Sequence, residues 1–236
     1  MDGPQEATPM HASLAGPQRP RTVTGTGTAA MALILLVLVG EVLIAVSDWR
    51  TYLVVHDYKA GAAAIMDLEA ADDFSQLVSL PSVVAWVAAG VVFLVWLWRA
   101  RFNAELLGGA AAQRRSRGWV VGGWFTPVAN LWVPYQVVSD IWRASAPRRP
   151  VPTGLVLAWW APLVVSAVLG RALLGLYVSE EITEESLLSA AKLSTLSTVL
   201  DVVAGLLVLV IIRRITVWQN QRLVRSAAPR PAADRP

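Results

Sequence analysis

The sequence contains no cysteine and two histidines, and these shortages exclude several kinds of site. Without cysteine there is no disulfide framework, no thiol nucleophile and no cysteine-ligated metal or cluster. His11 and His56 lie in separate polar segments, so no histidine cluster is available for metal binding or general-base catalysis. No Walker loop, dinucleotide fingerprint, HExxH or G-x-S-x-G motif occurs either. We therefore expect no cofactor, no metal and no enzymatic activity.

Charged residues are also scarce, at 16% of the chain, whereas hydrophobic residues make up 55% and the mean hydropathy is +0.51. This composition is too apolar for an ordinary soluble domain of 236 residues, and it predicts an integral membrane protein. The arginines flank hydrophobic runs rather than clustering on a polar domain, and no zinc-finger or RNA-binding signature is present. We expect no nucleic-acid partner.

Long apolar runs are what the sequence does contain, and four of them reach the length of about 20 residues that a helix needs to cross a bilayer. They cover residues 29–46, 77–98, 154–177 and 187–212. The predicted fold class is therefore all-α, a polytopic membrane protein with four transmembrane helices in a membrane domain of residues 29–225. Residues 1–28 and 226–236 are predicted to be disordered tails. The first run is interpreted as a retained span rather than a signal peptide, because it is long and contains Glu41.

Arginine and lysine are distributed unevenly between the runs. The loop between the second and third runs is rich in arginine, whereas the next loop contains VSEEITEESL, with neither arginine nor lysine. Positively charged loops stay in the cytoplasm. We expect a multi-pass protein of the cell membrane with both termini in the cytoplasm and two acidic loops outside.

The segment GWFTPVANLWVPYQVVSDIW, residues 123–142, is apolar but interrupted by two prolines. A fifth span here would move the following arginines outside, against the charge rule. We predict instead an amphipathic interfacial element over residues 118–145, with Asn130 as helix N-cap and Pro134 in the first turn. Its apolar face would carry Leu131, Tyr135, Val138 and Trp142, and its polar face Gln136, Ser139, Asp140 and Arg143. Residues 118–128 either lie along the headgroups or dip in as a shallow re-entrant turn.

Three stretches, FLVWLWRARFNAEL, SRGWVVGGWFTPVANLWVPYQVVSDIWRAS and RRITVWQNQR, resemble an uncharacterised family of actinobacterial membrane proteins known as a domain of unknown function. The resemblance covers the first span to Arg225, and GWFxPxxNLWxPYxxxxDxW is its most specific run. It implies several spans with a basic, tryptophan-rich cytoplasmic loop, and it implies no activity, substrate or catalytic residue. The motif residues are Trp96, Arg99, Arg101, Asn103, Gly118, Trp119, Trp124, Pro127, Asn130, Trp132, Pro134, Tyr135, Asp140 and Trp142.

Four ionisable residues lie inside the predicted spans: Glu41, Arg171, Lys192 and Asp201. Each costs about 3 kcal/mol at a helix centre, so each needs a partner or a purpose. Glu41, Arg171 and Lys192 are predicted to share one layer near the outer surface. We expect Glu41 to pair with Arg171, and Lys192 either to join them or to snorkel outward.

Asp201 lies deeper, and no cation is expected at its level. Ser194, Thr198 and Asp201 recur at helical spacing with Gly205 one turn beyond, which predicts a polar stripe facing the bundle interior. Asp201 is then either protonated and hydrogen-bonded or in contact with water in a cavity.

These features favour a non-enzymatic structural, assembly or regulatory component that acts through lipid or protein partners. The tryptophans are expected to anchor the helices as an aromatic belt, and the arginines to contact anionic headgroups. Arg99, Arg101 and Asn103, together with residues 124–135, form a candidate cytoplasmic pocket for a phosphate or a membrane or cytoplasmic protein. The alternative is a small transporter or channel that uses Asp201 with Glu41 and Arg171.

Overall fold

The computed structural model describes residues 19–148, 150–178 and 183–227. Its helices are α1 (Thr24–Lys59), α2 (Ile65–Gly108), α3 (Trp119–Phe125), α4 (Val133–Ser145), α5 (Gly154–Val178) and α6 (Glu184–Ala227). Two short 3-10 turns, Ala110–Ala112 and Ala129–Leu131, lie on either side of α3. No strand occurs in these three ranges, which confirms the all-α class. Residues 1–18 of the first predicted tail and 228–236 of the second lie outside the described residues.

Four of the helices, α1, α2, α5 and α6, are long and apolar enough to cross a membrane. Each predicted span lies within one of them. With 44 residues each, α2 and α6 are about 66 Å long at 1.5 Å per residue, about twice the thickness of a bilayer's hydrocarbon core. Both helices therefore continue well beyond their apolar parts, and their ends pack against other protein segments.

The long helices pack side by side in the order α2, α1, α6, α5. Neighbours run antiparallel, so the start of α1 lies beside the end of α2, and the end of α1 lies beside the start of α6. At one end the backbone N–H of Arg21 donates to Asn103 Oδ1 at 2.8 Å. At the other, His56 Nδ1 lies 2.6 Å from Glu184 Oε1. The arginine-rich segments thus gather at one end of the bundle, here called the basic end, and the acidic loops at the opposite end.

The chain enters the bundle earlier than predicted. Helix α1 begins at Thr24 rather than near Ala29, and residues 19–23, expected to be disordered, contact the basic end. Val23 is fully buried, and Gly27 lies so close to Trp96 that an added Cβ would stand 3.2 Å from its Nε1. Burial of Val23 and close packing at Gly27 order a segment whose composition alone predicts disorder.

The middle segment, residues 109–145, forms a folded cap over the basic end. Helix α4 packs on α2, α3, α5 and α6 and is buried along most of its length. The predicted amphipathic interfacial helix is not confirmed. Ser139 and Asp140, which the prediction assigned to its polar face, are 0% and 3% exposed. Protein side chains from four helices surround α4.

Helix α4 begins with Val133, and Pro134 lies in its first turn as predicted. Asn130 is not the N-cap, because the residue before the helix is Trp132, whose side chain makes no capping hydrogen bond. Asn130 lies instead within the 3-10 turn that precedes it. At the α3–α4 junction, Gly123 packs so closely on Val133 that an added Cβ would stand 2.7 Å from its Cγ1. This contact holds the two short helices together.

Candidate functional site

A buried network of side-chain amides joins three helices and the chain start at the basic end. Asn103 on α2 is fully buried, and its Nδ2 donates to the Arg21 carbonyl oxygen at 2.7 Å and to Gln219 Oε1 at 3.2 Å. Gln219 on α6 is also fully buried, and its Nε2 donates to the Ala100 carbonyl oxygen at 2.9 Å and to Ser145 Oγ at 2.8 Å. Because buried polar groups are costly when unpaired, this network fixes the relative positions of α1, α2, α4 and α6.

Next to this network lies an ion cluster centred on Glu105. Glu105 Oε1 accepts from Arg101 Nε at 2.8 Å, and Oε2 accepts from Arg117 Nε at 2.6 Å. Arg101 is 2% exposed and also donates through Nη2 to the Arg115 carbonyl oxygen. The cluster therefore ties the loop that follows α2 back onto α2 itself.

The charge state of Glu105 follows from these contacts. Glu105 lies seven residues past Trp98, the end of the predicted span, which is about 10 Å along the helix. Burial on its own raises the pKa of Glu105, but the hydrogen bonds and positive charges of Arg117 and Arg101 outweigh burial and hold the pKa below the ordinary value for a glutamate. Glu105 is therefore an ionised partner for both arginines at neutral pH.

Asp140 is the second buried carboxylate of the cap. Its Oδ2 accepts from the backbone N–H of Arg114 and its Oδ1 from Arg114 Nε, both at 2.9 Å. Arg143 Nη1 lies 3.9 Å from the same Oδ1. Asp140 thus fastens the 3-10 turn and the loop after α2 onto α4, which explains why the packing buries a residue that the sequence pattern assigns to a solvent-facing surface.

Several motif tryptophans are packing residues rather than members of an aromatic belt. Trp96 is fully buried and donates from Nε1 to Thr216 Oγ1 at 3.1 Å. Trp142 is 2% exposed, donates to the Pro152 carbonyl oxygen at 3.2 Å and meets Trp218 edge to face at 4.6 Å between ring centroids. These indoles satisfy their N–H groups within the protein, so they specify the packing of the basic end.

A second aromatic group connects the cap with the apolar part of the bundle. The Trp124 ring meets Phe93 of α2 edge to face at 5.7 Å and Trp160 of α5 at 5.8 Å. Trp160 Nε1 also donates to the Leu131 carbonyl oxygen at 2.9 Å. The turn between α3 and α4 therefore reaches the level of Phe93, five residues inside the predicted second span.

The remaining motif residues occupy the surface of this cap. Trp119 packs partly buried beside the Arg115 guanidinium, 5.8 Å from ring centroid to Cζ. Trp132 is 42% exposed, Pro127 and Gly118 are exposed, and Tyr135 is half-buried. Arg99 donates to the Thr22 carbonyl oxygen at 3.2 Å. Of the residues predicted to form a pocket with residues 124–135, Arg99 and Asn103 thus bind the backbone of residues 22 and 21, whereas Arg101 binds Glu105.

The charged residues of the predicted spans do not form the expected pair. No ion pair joins Glu41 to Arg171 within the described ranges, and the side chain of Arg171 is exposed on α5. Glu41 on α1 faces α6 instead, close enough for electrostatic interaction with Asp201. The reason is the packing order, in which α6 separates α1 from α5. Lys192 is exposed on α6, and its snorkelling stays a prediction.

Asp201 is held by hydroxyl groups. Its Oδ2 accepts from Ser166 Oγ of α5 at 2.6 Å and from Ser197 Oγ of its own helix at 3.3 Å. The predicted stripe on α6 does face the interior: Thr198 is buried and donates to the Glu41 carbonyl oxygen, and Gly205 packs against Leu38. Asp201 is therefore hydrogen-bonded to hydroxyl groups of both α5 and α6.

Sequence reasoning missed five residues that bind the predicted site residues or the cap, namely Glu105, Ser166, Thr216, Gln219 and Arg222. Arg222 donates from Nη1 to the Ala144 carbonyl oxygen at 2.6 Å. Glu105 could have been found, because it follows Arg101 at the i, i+4 spacing of helical ion pairs. Gln219 and Arg222 gave no such signal, since their partners are far away in the chain.

No group of three or more His, Asp or Glu side chains in the described ranges is placed to hold a metal ion. No match was found among curated proteins or among solved structures. Residues 59–217 match the family model described as "Domain of unknown function (DUF4328)". The match begins at the end of α1 and contains the whole cap, α5 and most of α6. Since it spans more than half of the 236 residues, the chain belongs to the DUF4328 family.

Proposed function

We propose that this chain is a non-enzymatic structural, assembly or regulatory component of the cell membrane that acts through protein or lipid partners at its basic end. The observation that carries this proposal is the cap itself. Hydrogen bonds of Arg117 to Glu105, of Arg114 to Asp140 and of Ser145 to Gln219 hold residues 109–145 together and on α2 and α6, and the outer surface presents arginines. A preorganised basic surface suits recognition of an anionic or polar partner.

The state of the two buried carboxylates at the basic end, Glu105 on α2 and Asp140 on α4, supports binding rather than catalysis. Both oxygens of Glu105 and both oxygens of Asp140 accept hydrogen bonds from arginine residues. A general base needs a carboxylate within reach of a substrate proton. Here the carboxylates orient arginines and close the fold of the cap.

The proposal places the basic end in the cytoplasm, with both termini on that side. The support is the charge distribution: the described arginines at the basic end far outnumber its two acidic residues, Glu105 and Asp140, whereas the opposite end carries the acidic loops. We also propose that the α3–α4 turn is a shallow re-entrant turn. Phe125 and Val128 at its tip are 73% and 66% exposed, while Trp124 beside them contacts Phe93. Lipid would cover this apolar tip.

Site-specific photo-crosslinking in native membranes tests the proposal. A photoreactive residue replaces Arg143, whose side chain is 50% exposed on the cap, and a matched one replaces Asp73, which is exposed at the acidic end. We expect discrete protein or lipid adducts at position 143 and background labelling at position 73. Equal labelling at both ends, or background at both, would remove the support for a partner at the cap.

A small transporter or channel is the second candidate, and one observation favours it. Ser166, Ser197 and Asp201 form a connected polar group between α5 and α6 within their apolar parts, and Glu41 lies nearby. Polar groups at such depth commonly mark ion or proton pathways. Arg171 has no part in this group, so the candidate rests on Asp201 and Glu41.

A further inference from the structure

A hollow at the basic end lies between the end of α4, the linker to α5 and the last part of α6. Its lining includes Trp142, Ala146, Arg148, Leu155, Arg214 and Trp218. The volume is about 360 Å³, at the lower end of the range for sites that bind small ligands. Its lining residues are not members of the Asn103 network or the Glu105 cluster, so the hollow is separate from both.

Two guanidinium groups, those of Arg148 and Arg214, border this hollow. Arg101, Arg114 and Arg117 each form an ion pair within 4.0 Å, whereas no ion pair of Arg148 or Arg214 occurs among residues 19–148, 150–178 and 183–227. Both side chains are exposed. Arginine binds phosphate oxygens through paired N–H donors, so two unpaired arginines beside one cavity favour a phosphate group.

The rest of the hollow is apolar and firmly built. Trp142 is fixed by its hydrogen bond to the Pro152 carbonyl oxygen and by the ring of Trp218. Leu155 continues the apolar wall along the first turn of α5. A soluble anion gains nothing from indole and leucine surfaces, whereas an amphipathic ligand does.

The position of the hollow along the helices also favours an amphipathic ligand. It borders Gly154, the first residue of α5, and Arg214, which follows the apolar run of α6 that ends at Ile212. One turn further into the apolar part, Ala158 on α5 and Val210 on α6 are exposed. A ligand with its anionic group at the arginines would therefore have apolar surface below it for hydrocarbon chains.

We propose that this hollow binds one anionic phospholipid, with the headgroup phosphate between Arg148 and Arg214 and the acyl chains along α5 and α6. The site rests on the proposed function, because it requires the basic end to lie at a membrane surface. It adds to that function a defined lipid site with defined contacts, distinct from the diffuse attraction of arginines for an anionic leaflet.

Native mass spectrometry of the full chain in an uncharged detergent tests the site. The protein is released from mixed micelles that contain equal amounts of phosphatidylglycerol and phosphatidylcholine. We expect wild-type protein to retain one phosphatidylglycerol in preference to phosphatidylcholine. A near-surface arginine contributes about a factor of five to attraction for an anionic lipid, so Arg148→Gln with Arg214→Gln should weaken retention about 30-fold.

The matched control is Arg213→Gln with Arg225→Gln, which removes two exposed arginines from the same end but outside the lining of the hollow. This variant should retain the lipid as wild type does. Equal loss in both double variants, or retention by Arg148→Gln with Arg214→Gln, would overturn the site. Titration with inorganic phosphate distinguishes a phospholipid from a soluble phosphate as the ligand. If phosphate binding required Arg148 and Arg214 but the protein showed no preference for phosphatidylglycerol, the hollow would be assigned to a soluble phosphate.

The two proposals can fail independently. Lipid retention that depends on Arg148 and Arg214, together with background crosslinking at position 143, would keep the lipid site and remove the cap as a partner surface. Crosslinking to a protein at position 143, with no retained lipid, would keep the cap as a partner surface and remove the lipid site.

Discussion

The side chain of Asn103 and the backbone of Arg21, 82 residues earlier, exchange two hydrogen bonds, from Arg21 N–H to Oδ1 at 2.8 Å and from Nδ2 to the Arg21 carbonyl oxygen at 2.7 Å. The Asn103 side chain thus binds both backbone groups of Arg21, as the backbone of a neighbouring β-strand would. This pair explains why the segment before α1 is ordered.

We predict that Asn103→Ala destabilises the basic end by about 2–4 kcal/mol, because it leaves buried partners on Arg21 and Gln219 unsatisfied. Thermal unfolding in detergent should show a lower midpoint, and trypsin should cut sooner after Arg21. The control is Asn220→Ala, which removes one exposed amide contact to Thr24. If both substitutions lowered the thermal midpoint equally, burial of Asn103 would not be the cause of the destabilisation.

Close approach of α1 to its neighbours gives a second prediction. An added Cβ at Gly27 would stand 3.0 Å from Thr216 Oγ1 and 3.2 Å from Trp96 Nε1, two atoms that are hydrogen-bonded to each other. Gly27→Ala should therefore cost about 1–3 kcal/mol through overpacking. The matched substitution Gly25→Ala, with nothing within 4 Å of its Cβ, should be neutral or stabilise α1 by a few tenths of a kcal/mol. If Gly27→Ala and Gly25→Ala changed the thermal midpoint by the same amount, the overpacking predicted at Gly27 would be contradicted.

The ion cluster predicts a dependence of cap stability on pH. The pKa of Glu105 in the folded protein lies below 4.5, the ordinary value that applies to the unfolded chain. A depressed pKa contributes stability that is fully present above about pH 4.5 and is lost as the pH falls through the folded value. Hydrogen exchange at residues 109–118 should therefore be slow and constant at neutral pH after correction for intrinsic rates, and should accelerate in acid.

The control for this pH effect is Glu105→Gln, which removes the titrating group. Protection of residues 109–118 in this variant should already be reduced at pH 7 and should change less between pH 7 and pH 3.5. An acid transition of unchanged size in Glu105→Gln would show that Glu105 is not the group responsible.

The number and positions of the long helices could be predicted from the sequence because a bilayer requires runs of apolar residues of a fixed minimum length. Segregation of arginine from glutamate predicted that two kinds of loop would gather at opposite ends of the bundle. Both are local or compositional properties, which a sequence displays directly.

The structure of the cap and the contacts between the long helices depend on tertiary packing. The spacing of polar and apolar residues in the sequence does not predict that packing. Asp140 has the spacing of a solvent-facing residue, yet Arg114, brought back by the loop after α2, neutralises and buries it. Glu41 and Arg171 share a predicted depth, but α6 lies between their helices. Depth and helical face were therefore predictable, whereas the identity of the neighbouring helix was not.

The hydroxyl contacts of Asp201 give the last prediction, which separates the two candidate functions. Asp201→Asn retains a carbonyl oxygen that accepts from Ser166 and Ser197, so its thermal midpoint should stay close to that of wild type. Asp201→Leu removes the acceptor and should lower the midpoint, because two hydroxyl groups then lose a partner in an apolar layer. If the chain acts through partners, proteoliposomes of wild type and Asp201→Asn should dissipate an imposed pH or cation gradient at the same background rate. Gradient dissipation by wild type that disappears in a normally folded Asp201→Asn variant would instead establish the transport function, since asparagine keeps the shape of the side chain but lacks its ionisable carboxyl group.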